Sequence, residues 1–385
     1  MKLRTFASFG LAMALLVASF TGTEVAAAPV AHWWVALGFA NRELGAVVEG
    51  SGVEQGVHCE LALYATSDGG ATWAAPIVLT RRAGCDAGGS SDAMAISADG
   101  AWFLATPQGL FEGRVGQHSS ALVQAGHFVP TVGETVCSVA AAAASVWLVL
   151  ADGCGLWGQA VVLVSTDDGA TWARSLTVPF GSLDASSLIA AVPPDSLAVE
   201  GPERAWLIGT KARKGGPLEV GRTVDAGRSW QASTLPCPTD RLAGFVGASG
   251  EDLVALCLNG PSAGYAPMEV VTSSDGGATW TERCNNGPSW ILRAVGRCPG
   301  FGYPGMVAVM GDGVLVLAVG YPLGAVEASL DGGRTWKVVA RSAATFVTLS
   351  QGSDAVWMLA LGPASAGLRL AESTNGWSWQ RVALP

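Results

Sequence analysis

The sequence predicts an all-β chain folded as a seven-bladed β-propeller with four-stranded antiparallel blades. Three observations carry that expectation: a recurring octapeptide, an apolar strand recurring ahead of each copy, and a composition suited to many short strands. Six segments share the octapeptide: 66–73 (TSDGGATW), 165–172 (STDDGATW), 223–230 (TVDAGRSW), 273–280 (SSDGGATW), 329–336 (SLDGGRTW) and the shortened 373–379 (STNGWSW). Self-similarity at a roughly fixed period is the signature of a repeat architecture. The copies start at 66, 165, 223, 273, 329 and 373, with gaps of 99, 58, 50, 56 and 44 residues. The first gap is about twice the others, so it hides one blade without a readable octapeptide. Segment 101–111 (AWFLATPQGLF) supplies that blade with two strands around Pro107, Gln108 and Gly109. Apolar runs at 46–48, 102–104, 147–149, 206–208, 253–255, 314–316 and 357–359 make seven strands, one ahead of each octapeptide or comparable turn. With 51 glycines and only 14% charged residues, the composition suits tight turns between such strands. The alanine run 139–146 (VAAAAASV) is too short to hold a helix alone and is read as an inner strand of small residues.

The residue types in the octapeptide suit a turn. An Asp there accepts hydrogen bonds from backbone amides a few positions on. The Gly at the fifth position permits positive φ without a Cβ clash. The closing Ser or Thr and Trp open a β-prone strand, whose indole can pack between blades. The motif resembles the Asp-box, or BNR, repeat, which implies a hairpin turn between the two outer strands of a blade. Asp68, Asp167, Asp225, Asp275, Asp331 and Asn375 are its expected structural residues. A calcium loop at Asp167 and Asp168 would need further spaced carboxylates that the segment lacks.

The N-terminus reads as a secretory signal peptide. Lys2 and Arg4 precede an apolar run from Phe9 to Phe20, and small residues lie around Ala27. Removal of residues 1–27 leaves 28–385 as a single propeller domain of 358 residues, about 51 per blade. That chain carries 20 basic and 30 acidic residues, a net charge of −10, which argues against nucleic acid and anionic membranes. No later apolar run is long enough to cross a bilayer as a helix, so an exported monomer without stable membrane insertion is expected. Eight cysteines in an exported chain read as disulfides. Their spacing favours Cys59–Cys85, Cys137–Cys154, Cys237–Cys257 and Cys284–Cys298, although eight cysteines allow 105 pairings. No C-x-x-C occurs, and no metal or cofactor is expected.

With strands A to D running from axis to rim, the octapeptides mark C–D turns and share one face with the A–B turns. The B–C and D–A loops build the other face, where ligands of such folds are expected. The candidate binding residues are His58, Trp157, Lys211, Arg213, Tyr265 and Tyr321 in B–C loops, and Asp86, Asp92, Trp290 and Arg293 in D–A loops. Trp157 and Trp290 stand out because six of the 15 tryptophans close octapeptides and four lie in B strands. An exposed aromatic on a disulfide-held loop can stack on a sugar or anchor a protein.

The overall pattern is similar to the YCF48-like group, which implies a recognition or assembly role for an unidentified protein or carbohydrate partner. It is also similar to sialidases, which implies an arginine triad, an Asp acid and a Tyr–Glu nucleophile. Their Phe/Tyr-Arg-Ile-Pro motif is absent, and Arg42 matches nothing around it. Tyr321 has no Glu clearly paired with it. The sequence reading is a non-catalytic binding propeller, with glycoside hydrolysis as the alternative.

Overall fold

The computed structural model describes residues 30–53, 59–82, 93–106, 109–117, 120–122, 134–152, 157–158, 160–175, 189–190, 197–210, 218–237, 243–258, 268–285, 298, 304–319, 324–342, 346–363 and 369–385. These form seven antiparallel blades of four consecutive strands, A to D, with blades I and VII joined in one eight-stranded sheet. Blade I is Val30–Phe39, Gly45–Val53, Cys59–Thr66 and Ile77–Arg82. Blade II is Ala93–Ile96, Ala101–Thr106, Gly109–Arg114 and Ser120–Leu122, the blade that lacks an octapeptide. Blade III is Glu134–Ala142, Ser145–Asp152, Ala160–Ser165 and Ala173–Arg174, so the alanine run is a strand. Blade IV is Leu197–Glu200, Arg204–Thr210, Leu218–Thr223 and Gln231–Thr234. Blade V is Ala243–Ser249, Asp252–Leu258, Met268–Ser273 and Thr281–Asn285. Blade VI is Pro304–Val309, Leu315–Val319, Ala325–Ser329 and Lys337–Arg341. Blade VII is Phe346–Gln351, Val356–Pro363, Leu370–Ser373 and Gln380–Val382. A two-residue pair, Trp157–Gly158 with Ile189–Ala190, stands outside the blades and was not expected from sequence.

Successive side chains of a strand point to opposite faces, and in a propeller both faces of a blade are covered by neighbours. That is why the B strands are continuously apolar. Trp102 and Leu104 pack toward blade I, whereas Phe103 and Ala105 pack toward blade III. The core is accordingly divided into seven clusters, one between each adjacent pair of blades. Trp102, Trp147, Trp206 and Trp357 are 0% exposed. The Trp206 indole also donates to Gly276 O of the next blade at 3.0 Å.

The octapeptide turns repeat one hydrogen-bond pattern. In blade I, Thr66 Oγ1 donates to Asp68 Oδ1 at 2.8 Å and accepts from Gly70 N at 2.8 Å. Asp68 also accepts from Thr72 N at 2.9 Å and Thr72 Oγ1 at 2.6 Å. Asp167, Asp225, Asp275 and Asp331 make the same four-part set in blades III to VI. Asn375 accepts from Ser373 Oγ, Trp377 N and Ser378 N in blade VII. The fifth-position glycines have positive φ, as expected. So does the fourth position, which sequence reasoning missed, because in blades III and IV it is filled by Asp168 (φ 55°) and Ala226 (φ 56°). Closing tryptophans reach the preceding blade, with Trp230 Nε1 donating to Ser175 Oγ and Trp280 Nε1 to Ser233 Oγ.

Two expected disulfides are present, Cys237–Cys257 and Cys284–Cys298, with Cα atoms 6.3 and 4.9 Å apart. Cys137 is disulfide-bonded too, from within strand A of blade III rather than ahead of it. Its expected partner Cys154 lies outside the described residues, as do Cys85 and the Cys59 side chain.

Candidate functional site

Strand A of every blade presents its inner edge to the axis, and the seven edges enclose a channel of about 540 Å³. Small residues make it: Ala140–Ala143 of blade III, with Gly201, Gly247 and Ala248, keep the walls close to the backbone. Alkyl groups such as Val35, Met94, Val139 and Met306 supply the rest.

Polar side chains on this wall hold neighbouring blades or their own turns. Gln351 of blade VII donates to Ala248 O and Val309 O and accepts from Val309 N, tying blades V, VI and VII. Ser350 Oγ accepts from Phe39 N at 2.9 Å. Asn41 Oδ1 caps the A–B turn of blade I through Glu43 N and Leu44 N. Glu200 accepts from Gly250 N at 2.6 Å and pairs with Arg204 at 3.3 Å.

On the octapeptide face lie two ion networks that sequence reasoning did not find. Arg204 and Arg222 converge on Glu251, joining blades IV and V. Arg114 bridges Asp99 at 2.5 Å and Asp168 at 3.3 Å, joining blades II and III where blade II has no octapeptide. Burial pushes the Asp99 carboxyl up, but hydrogen bonds from Ser97 and Arg114 prevail and hold it at about 2. Burial, with the charge of Asp99, raises Asp168 instead. Partners so far apart in sequence leave no local signal.

In sequence order, the candidate binding residues fall in connections between the described strands. His58 falls between strands B and C of blade I, and Asp86 and Asp92 between blades I and II. Lys211 and Arg213 fall between B and C of blade IV, Tyr265 of blade V and Tyr321 of blade VI. Trp290 and Arg293 fall between blades V and VI. All nine lie outside the described residues. Trp157 begins the extra strand pair in the B–C connection of blade III, and its side chain is likewise outside them.

One tyrosine–carboxylate pair is described. Tyr64 donates to Glu49 Oε2 at 3.1 Å, and His32 Nδ1 lies 3.1 Å from Glu49 Oε1. Burial and the neighbouring Glu49 charge raise the Tyr64 phenol above its ordinary value. Tyr64 packs with Trp34 against blade VII and does not line the channel.

Neither a protein-family model nor a curated protein matches the chain. Solved structures do. An ancestral GH74 enzyme superposes with a TM-score of 0.51 at 15% identity, over 92% of this chain and 48% of that one. The fold is the shared property. This chain thus spans about half of the GH74 enzyme. YCF48 bound to a D1 peptide matches at TM-score 0.37 and 18% identity, over 92% of this chain and 83% of that one. A sialidase described as Hadza microbial matches at 0.43 and 15%, over 86% and 63%. Among the described residues no helix is long and apolar enough to cross a membrane.

Proposed function

We propose that this chain is an exported recognition propeller that binds a protein or glycan at its B–C and D–A loops without turning it over, and that its octapeptides are Asp-boxes serving the scaffold. The observation that carries this reading is how the polar groups of the axis and of the octapeptide face are used. Asp68, Asp167, Asp225, Asp275 and Asp331 are saturated by their own turns. Asn41, Glu200, Ser350 and Gln351 hold turns or neighbouring blades. Recognition then falls to the loops of the opposite face, which a rigid scaffold positions. Disulfides support export.

The test is a glycan and peptide array probed with the purified mature chain, repeated with Trp157→Ala and Trp290→Ala. A ligand lost in both variants while their melting is unchanged supports the reading. A second reading, glycoside hydrolysis, has the Tyr64–Glu49 pair in its favour. Release of an aryl sialoside or arabinofuranoside that disappears in Tyr64→Phe and Glu49→Gln would overturn the first reading and establish the second.

A further inference from the structure

Six of the seven blade boundaries are crossed by the chain, and one, between blades VII and I, is not. Every blade consists of four consecutive strands, so none borrows a whole strand from the other end of the chain, and blades I and VII are joined into one eight-stranded sheet only by a short pairing. What joins the two ends is non-covalent and concentrated. Strand A of blade I pairs with strand B of blade VII over two residues, Trp33 with Pro363 and Trp34 with Gly362. Phe39 stacks on Trp357 with ring centroids 3.7 Å apart and planes at 10°. Arg42 pairs with Glu372 at 3.1 Å and its amide donates to Asp354 at 2.8 Å. At the axis Ser353 N donates to Ala40 O at 2.9 Å, and a Cβ on Gly352 would lie only 3.0 Å from Asn41 Cα. At the rim Trp73 Nε1 donates to Ala383 O at 2.9 Å, and Val382 and Leu384 pack beside it.

We infer that these contacts act as a side-chain and tail clasp, and that the ring opens at the blade VII–I seam in a step separate from global unfolding. The physical reason is connectivity. Parting any other boundary must stretch a covalent linker, whereas parting this one breaks, among the described residues, only non-covalent contacts: those named above, the Phe39–Ser350 bond and the buried cluster of Trp34, Leu37, Val47, Ala355, Leu359 and Leu370. Local openings of this kind have free energies below that of global unfolding. Opening exposes the channel along its length, because Phe39, Ala40 and Asn41 form one flank of the seam and Ser350, Gln351 and Gly352 the other.

Hydrogen exchange read by mass spectrometry on the full mature chain tests this. Trp73→Phe removes the indole donor to the tail while keeping an aromatic ring, and deletion of residues 383–385 removes the acceptor. In both variants, exchange at 33–39 and 356–361 should quicken by about tenfold, while 206–208 and 253–258 stay at the wild-type rate. Equal acceleration in all blades, or none anywhere, overturns the inference. Phe39→Leu, which removes the stack on Trp357, gives a second measurement. It should quicken exchange at 356–361 on the opposite flank while 206–208 and 253–258 stay at the wild-type rate; an unchanged rate at 356–361 also overturns the inference.

Discussion

Asp331 accepts four hydrogen bonds within one turn, from Ser329 Oγ, Arg334 N, Thr335 N and Thr335 Oγ1. Burial opposes its ionisation, but the bonds from Thr335 and Ser329 outweigh it and lower the carboxyl. Asp331→Ala should cost about 1–2 kcal/mol, since it orphans turn donors, and urea denaturation would measure it. Asp225, bonded first by Ser229, is held down to about 2 from 3.8. A carboxyl lowered on folding contributes stability that is complete above its unfolded value and lost as pH falls through its folded value. Between pH 3.8 and 2, the wild type should therefore lose stability more steeply than Asp225→Asn, as denaturation midpoints across that range would record. Ala226 occupies a left-handed backbone position at φ 56° where other turns have glycine. Ala226→Gly relieves a cost of about 1–2 kcal/mol and adds back somewhat less in chain entropy, so the melting temperature should rise slightly.

A blade strand is read twice by its neighbours, once on each face, which makes the B strands the least forgiving elements. Trp206 fills the boundary between blades IV and V and bonds Gly276 O. Trp206→Ala should cost about 3–5 kcal/mol by cavity formation. Trp206→Phe keeps part of the packing but leaves the carbonyl unpaired, so calorimetry should place it between wild type and Ala. Cys237–Cys257 ties the exit of blade IV to strand B of blade V across 20 residues. Replacing both with Ser should cost about 3 kcal/mol on the chain-entropy estimate. These elements were legible because unbroken apolar runs and cysteine spacing are local patterns. The Trp157–Gly158 pair with Ile189–Ala190 was not, since two residues carry no periodicity.

At the scale of the whole molecule, the proposed function assigns scaffold to the octapeptide face and recognition to the opposite one. Asp167→Ala should lower the melting temperature and leave ligand affinity in the folded fraction unchanged, with Trp157→Ala and Trp290→Ala doing the reverse. Thermal melts beside a binding assay would show it, and an Asp167→Ala protein that melts normally yet fails to bind would reverse the assignment of faces. Blade count, strand order and the octapeptide turns were determined by sequence alone, because each turn closes its hydrogen bonds within eight residues and each B strand announces two-sided burial by unbroken apolarity. The clasp, the engagement of the channel wall and the ion networks were decided only by the tertiary structure. Phe39 meets Ser350 across 311 residues, Arg42 meets Asp354 across 312 and Glu372 across 330. No local pattern encodes such partners, because it is closure of the ring, rather than any property of either segment, that brings the two ends of the chain together.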